Sequence, residues 1–125
     1  MSYYLYLVES VGGRAGFGIA EDYRERNKHY ASHSGDIVKF SRIYTGLRAK
    51  AKALERTIKR QYVDNIWMVD DWKTEWLVKD VSMSQLEAYV DNLNSTRHFG
   101  LTLFAQGYDF TQGELDPLEN RVATV

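Results

Sequence analysis

The sequence predicts a small α/β domain of the α+β kind, in which a central antiparallel β-sheet is flanked by helices. Three observations carry this reading. A tyrosine- and aliphatic-rich segment, Tyr3 to Glu9, turns back through Ser10-Val11-Gly12-Gly13, the pattern of a β-hairpin. Leu47 to Tyr62 sets Leu47, Ala51, Leu54, Ile58 and Tyr62 at helical spacing, the mark of an amphipathic helix. The chain has 125 residues, 44% of them apolar and 26% charged, which suits one core and one domain spanning residues 1–125.

The elements follow in order. Alternation along the first strand puts Tyr4, Tyr6 and Val8 on one side and Tyr3, Leu5 and Leu7 on the other. Ala15 to Ala20 is the return strand, and Gly16 and Gly18 within it allow close approach of a neighbour. Asp22 is placed to cap a short helix over residues 23–33 that ends near Gly35. Asp36 to Tyr44 reads as a strand, with Ile37, Lys39, Ser41 and Ile43 opposed to Val38, Phe40, Arg42 and Tyr44. The amphipathic helix comes next. Ile66–Val69 and Glu75–Val78 are short strands around the turn-like Asp70-Asp71-Trp72-Lys73. Ser82 with Gln85 forms a capping box, and Val81 with Leu86 a staple, opening a helix to about Asn92. The stretch from Ser95 carries no firm assignment, and residues 95–125 read as a C-terminal extension.

Composition excludes several classes of function. With no cysteine there is no disulfide framework, thiolate zinc site or cysteine nucleophile. No apolar run approaches the roughly 20 residues of a membrane helix, so no membrane partner is expected. The opening residues lack the basic-then-apolar pattern of a signal peptide, which points to a cytoplasmic protein. Charge is segregated: residues 1–60 hold 12 Lys and Arg against 6 Asp and Glu, and residues 61–125 hold 4 against 11. A basic half of this kind suits a polyanion.

The residues that carry chemistry are ordered along that basic half. Tyr4-Leu5-Tyr6-Leu7-Val8 is followed at hairpin distance by Gly16-Phe17-Gly18-Ile19-Ala20, then by Arg24-Glu25-Arg26, and much later by Ala53-Leu54-Glu55-Arg56. Over about residues 3–80 this order resembles the GIY-YIG nuclease superfamily, and Thr74-Glu75-Trp76-Leu77 resembles an element of its divergent, phage-borne branches. The resemblance implies a GIY-YIG nuclease-like fold and a metal-dependent DNA endonuclease. It sets Tyr6 on the tyrosine of the first element, Gly18 on the glycine of the second, Arg26 on the helix arginine and Glu55 on the single metal-binding glutamate. The sequence departs from the family at three places. Gly16 stands at the second tyrosine, Tyr4 at the first glycine, and Tyr30 where a histidine often lies, with His29 one residue earlier.

The chemistry can be argued from the residue types. Phosphodiester hydrolysis needs an activated oxygen nucleophile, neutralised phosphate oxygens and a stabilised leaving alkoxide, and a divalent metal supports the last two. Magnesium, or manganese in its place, is held by one carboxylate together with substrate oxygens, so Glu55 alone is enough. Arg26 would clamp the phosphate with its planar fork, Tyr6 would orient or deprotonate water, and His29 would shuttle a proton near Arg26. Lys50, Lys52, Arg56, Lys59 and Arg60 on the amphipathic helix, with Lys39 and Arg42 on the strand before it, would contact the DNA backbone.

Plainer readings stand beside these. Glu55 also fits a surface ion-pair ladder with its lysine neighbours, Arg26 a solvated cation, and Tyr6 a core tyrosine. His29 and His33 lack a third metal ligand, and the three tryptophans fit packing better than base stacking. The competing functions are a nuclease-derived DNA-binding module without catalysis and a protein-interaction or inhibitor domain built on the acidic second half. Oligomeric state, a homo-oligomer included, is left open.

Overall fold

The computed structural model describes residues 3–10, 12–22 and 38–109. Their elements are β1 (Tyr3–Ser10), β2 (Ala15–Ala20), β3 (Val38–Gly46), α1 (Arg48–Gln61), β4 (Ile66–Val69), β5 (Trp72–Leu77), α2 (Met83–Thr96) and β6 (Thr102–Asp109). The strands form one sheet in the order β4-β5-β2-β1-β3-β6, with every neighbouring pair antiparallel. The fold is therefore α+β, as expected. The helix expected over residues 23–33, with Arg26 and His29 on it, lies outside the described residues, as do residues 110–125.

The hairpin closes as the paired glycines dictate. Gly13 takes φ +84°, its N–H donates to the Ser10 carbonyl at 2.9 Å, and the Arg14 N–H donates to Ser10 Oγ at 3.1 Å. The resulting register sets Leu5 opposite Ile19, Tyr6 opposite Gly18 and Leu7 opposite Phe17. Alternation then builds two cores, one on each face of the sheet. Leu5 and Leu7 join Ala51, Leu54 and Ile58 of α1 and Leu86, Val90 and Leu93 of α2, so both described helices cover that face. Tyr6 and Val8 join Phe40 and Ile43 on the other face.

Four expectations are corrected. Strict alternation in β3 fails, because Leu7 pairs with Arg42 while Val8 pairs with Phe40, and the extra residue Ser41 forms a bulge. Phe40 and Ile43 therefore share a face that simple parity would deny them. Leu47 does not extend the apolar stripe of α1. It is the extended N-cap residue, outside the helical period, and is 67% exposed. The turn between β4 and β5 is only Asp70-Asp71, with Asp70 at φ 54°, so β5 starts at Trp72. Finally, the supposed C-terminal extension supplies structure. Helix α2 runs on to Thr96, and residues 102–109 form β6 paired along β3. The entry to β6 is held by Asn94, whose amide donates to the Leu101 carbonyl at 2.8 Å and accepts from the Leu101 N–H at 3.1 Å.

The N-cap half of the expected box forms in α2, with Ser82 Oγ accepting the Gln85 N–H at 3.1 Å, and the staple residues Val81 and Leu86 are both buried. Among the described residues no helix is long and apolar enough to cross a membrane.

Candidate functional site

Strands β2 and β5 meet through a single pair, Gly16 with Trp76. Beside it lies a cavity of about 480 Å³ lined by residues of β1, β2 and α1 and of the β4–β5 hairpin, with Tyr6, Gly18 and Glu55 all in its wall. Tyr6 and Glu55 thus reach one concavity from a strand and a helix far apart in sequence.

Local chemistry explains how each gets there. The Tyr6 ring is buried and packs edge-on against Phe40, with centroids 5.4 Å apart. It lies across the pleat onto Gly18, opposite it in the register. A Cβ on residue 18 would stand 2.4 Å from the Tyr6 hydroxyl oxygen and 2.8 Å from Cζ, so only glycine leaves room for the phenol. Glu55 borders the stripe of Ala51, Leu54 and Ile58, and that position turns its carboxylate inward, leaving the side chain 18% exposed. Its ion-pair partner is Lys59 Nζ at 3.6 Å, one turn on, with a side chain 61% exposed. Glu55 is therefore ion-paired with Lys59 and at the same time partly shielded from solvent.

The basic candidates divide into three groups. Lys52, Arg56 and Lys59 are exposed on the flank of α1 that carries Glu55, given a rotation of roughly 100° per residue. Arg60 is exposed further round, and Lys50 lies on the opposite flank. Lys39 is exposed on β3, away from this cavity, in a second one it shares with Glu9, Ser41 and Glu87.

Arg42 also lines this second cavity, but its guanidinium is engaged within the domain. Its Nε lies 3.1 Å from Glu87 Oε2, and its Nη1 pairs with Asp91. Asp91 Oδ1 also accepts the Tyr44 hydroxyl at 2.5 Å, and Glu87 Oε2 accepts the Ser41 hydroxyl at 2.7 Å. Partial burial opposes the guanidinium charge, but the bonds to Tyr44 and Asp91 outweigh it and hold Arg42 charged above its ordinary range. Burial likewise pushes the Tyr44 phenol well up, and Asp91 adds to the shift while Arg42 opposes it. The charge of Arg42 is spent inside the domain, pinning β3 to α2. Parity alone could not show this, because both carboxylates arrive from a helix some 45 residues downstream.

Among the described residues no group of three His, Cys, Asp or Glu side chains comes together. The donor set facing the cavity centres on the Glu55 carboxylate, with Tyr6 among the lining residues. It fits a hard, oxygen-seeking cation that keeps most of its waters, and does not fit a zinc-type site with several protein ligands.

Two further features escaped sequence reasoning. Thr74 lines the cavity and ties its wall together, donating to the Trp67 carbonyl at 2.7 Å and accepting the Trp76 N–H at 3.2 Å. The Arg14 guanidinium lies 3.7 Å from the centroid of the Trp67 ring, fastening the hairpin tip to β4. Neither pairing leaves a local signal in the sequence. Comparison with protein-family models, with curated proteins and with solved structures finds no match to the chain.

Proposed function

We propose that this protein is a metal-dependent endonuclease that hydrolyses DNA phosphodiester bonds, acting in the cytoplasm where it meets DNA, a host cytoplasm if it is phage-encoded. The single observation that carries this reading is that Tyr6 and Glu55 both line one cavity, with Lys52, Arg56 and Lys59 exposed on the flank of α1 that carries Glu55.

Each group has a role that its position supports. Glu55 would hold magnesium or manganese, which when bound polarises the scissile phosphate and stabilises the departing alkoxide. The Lys59 side chain is exposed enough to swing off the carboxylate and onto a phosphate oxygen, and Lys52 and Arg56 extend that contact along the backbone. Tyr6 orients the attacking water through its hydroxyl. Arg26 and His29 lie outside the described residues, and the family resemblance alone would give them the clamping of the phosphate and the relay of a proton.

Supercoiled plasmid incubated with the protein in magnesium, and separately in chelator, tests the proposal. Nicked circles are expected with magnesium alone, and none from Glu55→Ala. If the wild type binds plasmid in a salt-sensitive way without nicking it, the protein is a DNA-binding module instead. The glycine at position 16, which supplies no hydroxyl, favours that second reading. If it neither binds nor cuts, an interaction domain is left.

A further inference from the structure

We infer that the cavity beside Glu55 receives one unpaired nucleobase, so that the DNA this protein handles carries an extruded or unpaired nucleotide next to the contacted phosphates. The inference rests on the reading of the protein as one that acts on DNA, and it names the form of DNA that the site selects.

The walls are the first reason. Glu55, Lys59 and Thr74 supply polar wall for a phosphate and its hydrated cation, and the rest of the cavity is largely apolar: Phe17, Ile19, Tyr62, Val63, Ile66 and Leu77. Its volume of about 480 Å³ is that of a site for a small organic group, well beyond what a phosphate fills. Tyr62 is a built wall, only 5% exposed and held edge-on by Tyr89 with ring centroids 5.5 Å apart at 83°. Burial, and then the neighbouring Tyr89, raise the Tyr62 phenol, so its hydroxyl stays neutral.

Charge is the second reason. An apolar cavity alone would suit many occupants, but here Lys59 stands in the wall and Lys52 and Arg56 are exposed on the same flank of α1. That combination matches a nucleotide within a strand, with a flat aromatic base inside and phosphates on either side of it outside. Val63, 57% exposed, is left in water until something flat and apolar covers it. A fully paired duplex keeps its bases stacked and presents only a charged, convex backbone, so it cannot fill this space.

The test is a binding titration of the full chain in chelator, which prevents cleavage. Three fluorescent hairpin duplexes are compared: fully paired, carrying a single adenine bulge, and carrying a single abasic bulge. The adenine bulge is expected to bind roughly tenfold more tightly than the other two, the size of one base–aromatic stacking contact. Val63→Trp, a change at an exposed position that narrows the cavity, should bring the bulge down to the paired duplex, with thermal melting verifying that the variant folds. Quenching of 2-aminopurine placed in the bulge reports entry of the base directly. If the abasic or the paired duplex binds as tightly as the adenine bulge, the inference is overturned while the DNA reading stands. If none of the three binds, both fall together.

Discussion

Tyr6 and Tyr44 stand on neighbouring strands, each 1% exposed; Tyr44 belongs to a cluster of charged side chains, and Tyr6 lines a cavity whose wall also carries Glu55 and Lys59. The two sites differ in how fully their carboxylates are engaged. Around Tyr44, Arg42 meets Glu87 and Asp91, the phenol donates to Asp91, and Ser41 donates to Glu87. In the cavity wall, the Glu55 carboxylate is paired with the exposed Lys59 ammonium at 3.6 Å. A carboxylate whose lone pairs are filled by fixed donors is a joint. One that faces open volume and an exposed partner keeps capacity for a ligand. Similar side chains therefore serve cohesion in one region and, under the proposed function, chemistry in the other.

That contrast can be tested by substitution, beginning with the largest effect. Glu55→Gln keeps the shape of the side chain and removes its charge, so magnesium-dependent nicking should fall by roughly a hundred- to a thousandfold while the melting temperature barely moves. A time course at saturating magnesium reads this, and cutting at the wild-type rate would mean that Glu55 holds no metal.

Gly18→Ala attacks the same site through packing. The added methyl stands 2.4 Å from the Tyr6 hydroxyl oxygen, and the buried ring must move to admit it. A stability loss of about 1–3 kcal/mol is expected, the usual cost of overpacking. Nicking should drop with the displaced phenol. Urea melts and the same time course measure both, and unchanged nicking would remove Tyr6 from the mechanism.

Asp91→Ala should do the reverse, weakening the fold and sparing the chemistry. It strips the Tyr44 hydroxyl of its acceptor and Arg42 of one carboxylate. The loss should be about 1–3 kcal/mol, toward the lower end because the Asp91 side chain is 45% exposed. If urea denaturation shows no loss, the joint is ornamental.

The smallest effect is alkaline. The Tyr44 phenol is raised in the folded protein above the ordinary value near 10 that it regains on unfolding. Its neutral form therefore favours the fold fully below about pH 10, and the advantage fades as pH climbs above that toward the folded value. Melting temperatures from pH 8 to 11 should show a falling limb that Tyr44→Phe flattens, at a cost of about 1 kcal/mol at neutral pH. A limb of unchanged slope would assign the titration to another group.

Much of this was legible in the sequence because it depends on near neighbours. Strand alternation in Tyr3–Ser10, the Gly12-Gly13 turn, the stripe through Ala51, Leu54 and Ile58, and the Ser82 cap are all set within a few residues. The place of Glu55 at the border of that stripe follows from helical period alone, and its entry into the cavity agrees with it. Gly18 was marked as a point of close approach, and the neighbour that comes close is the Tyr6 ring.

What only the tertiary structure decided depends on partners far along the chain. The bulge at Ser41 is set by matching β3 to β1, and it overrides the parity that local alternation assigns to Phe40. Arg42 looks identical in sequence to a free phosphate-binding arginine, and only the packing of α2 on β3 supplies the carboxylates that neutralise it. Strand β6 has no strong period of its own and exists because β3 offers an edge and Asn94 fixes its entry. The cavity has the same origin. Its walls come from two strands, a helix and a hairpin, and a concave volume is a property of their separation. Local sequence determines which way each side chain points, and long-range packing determines what it meets there.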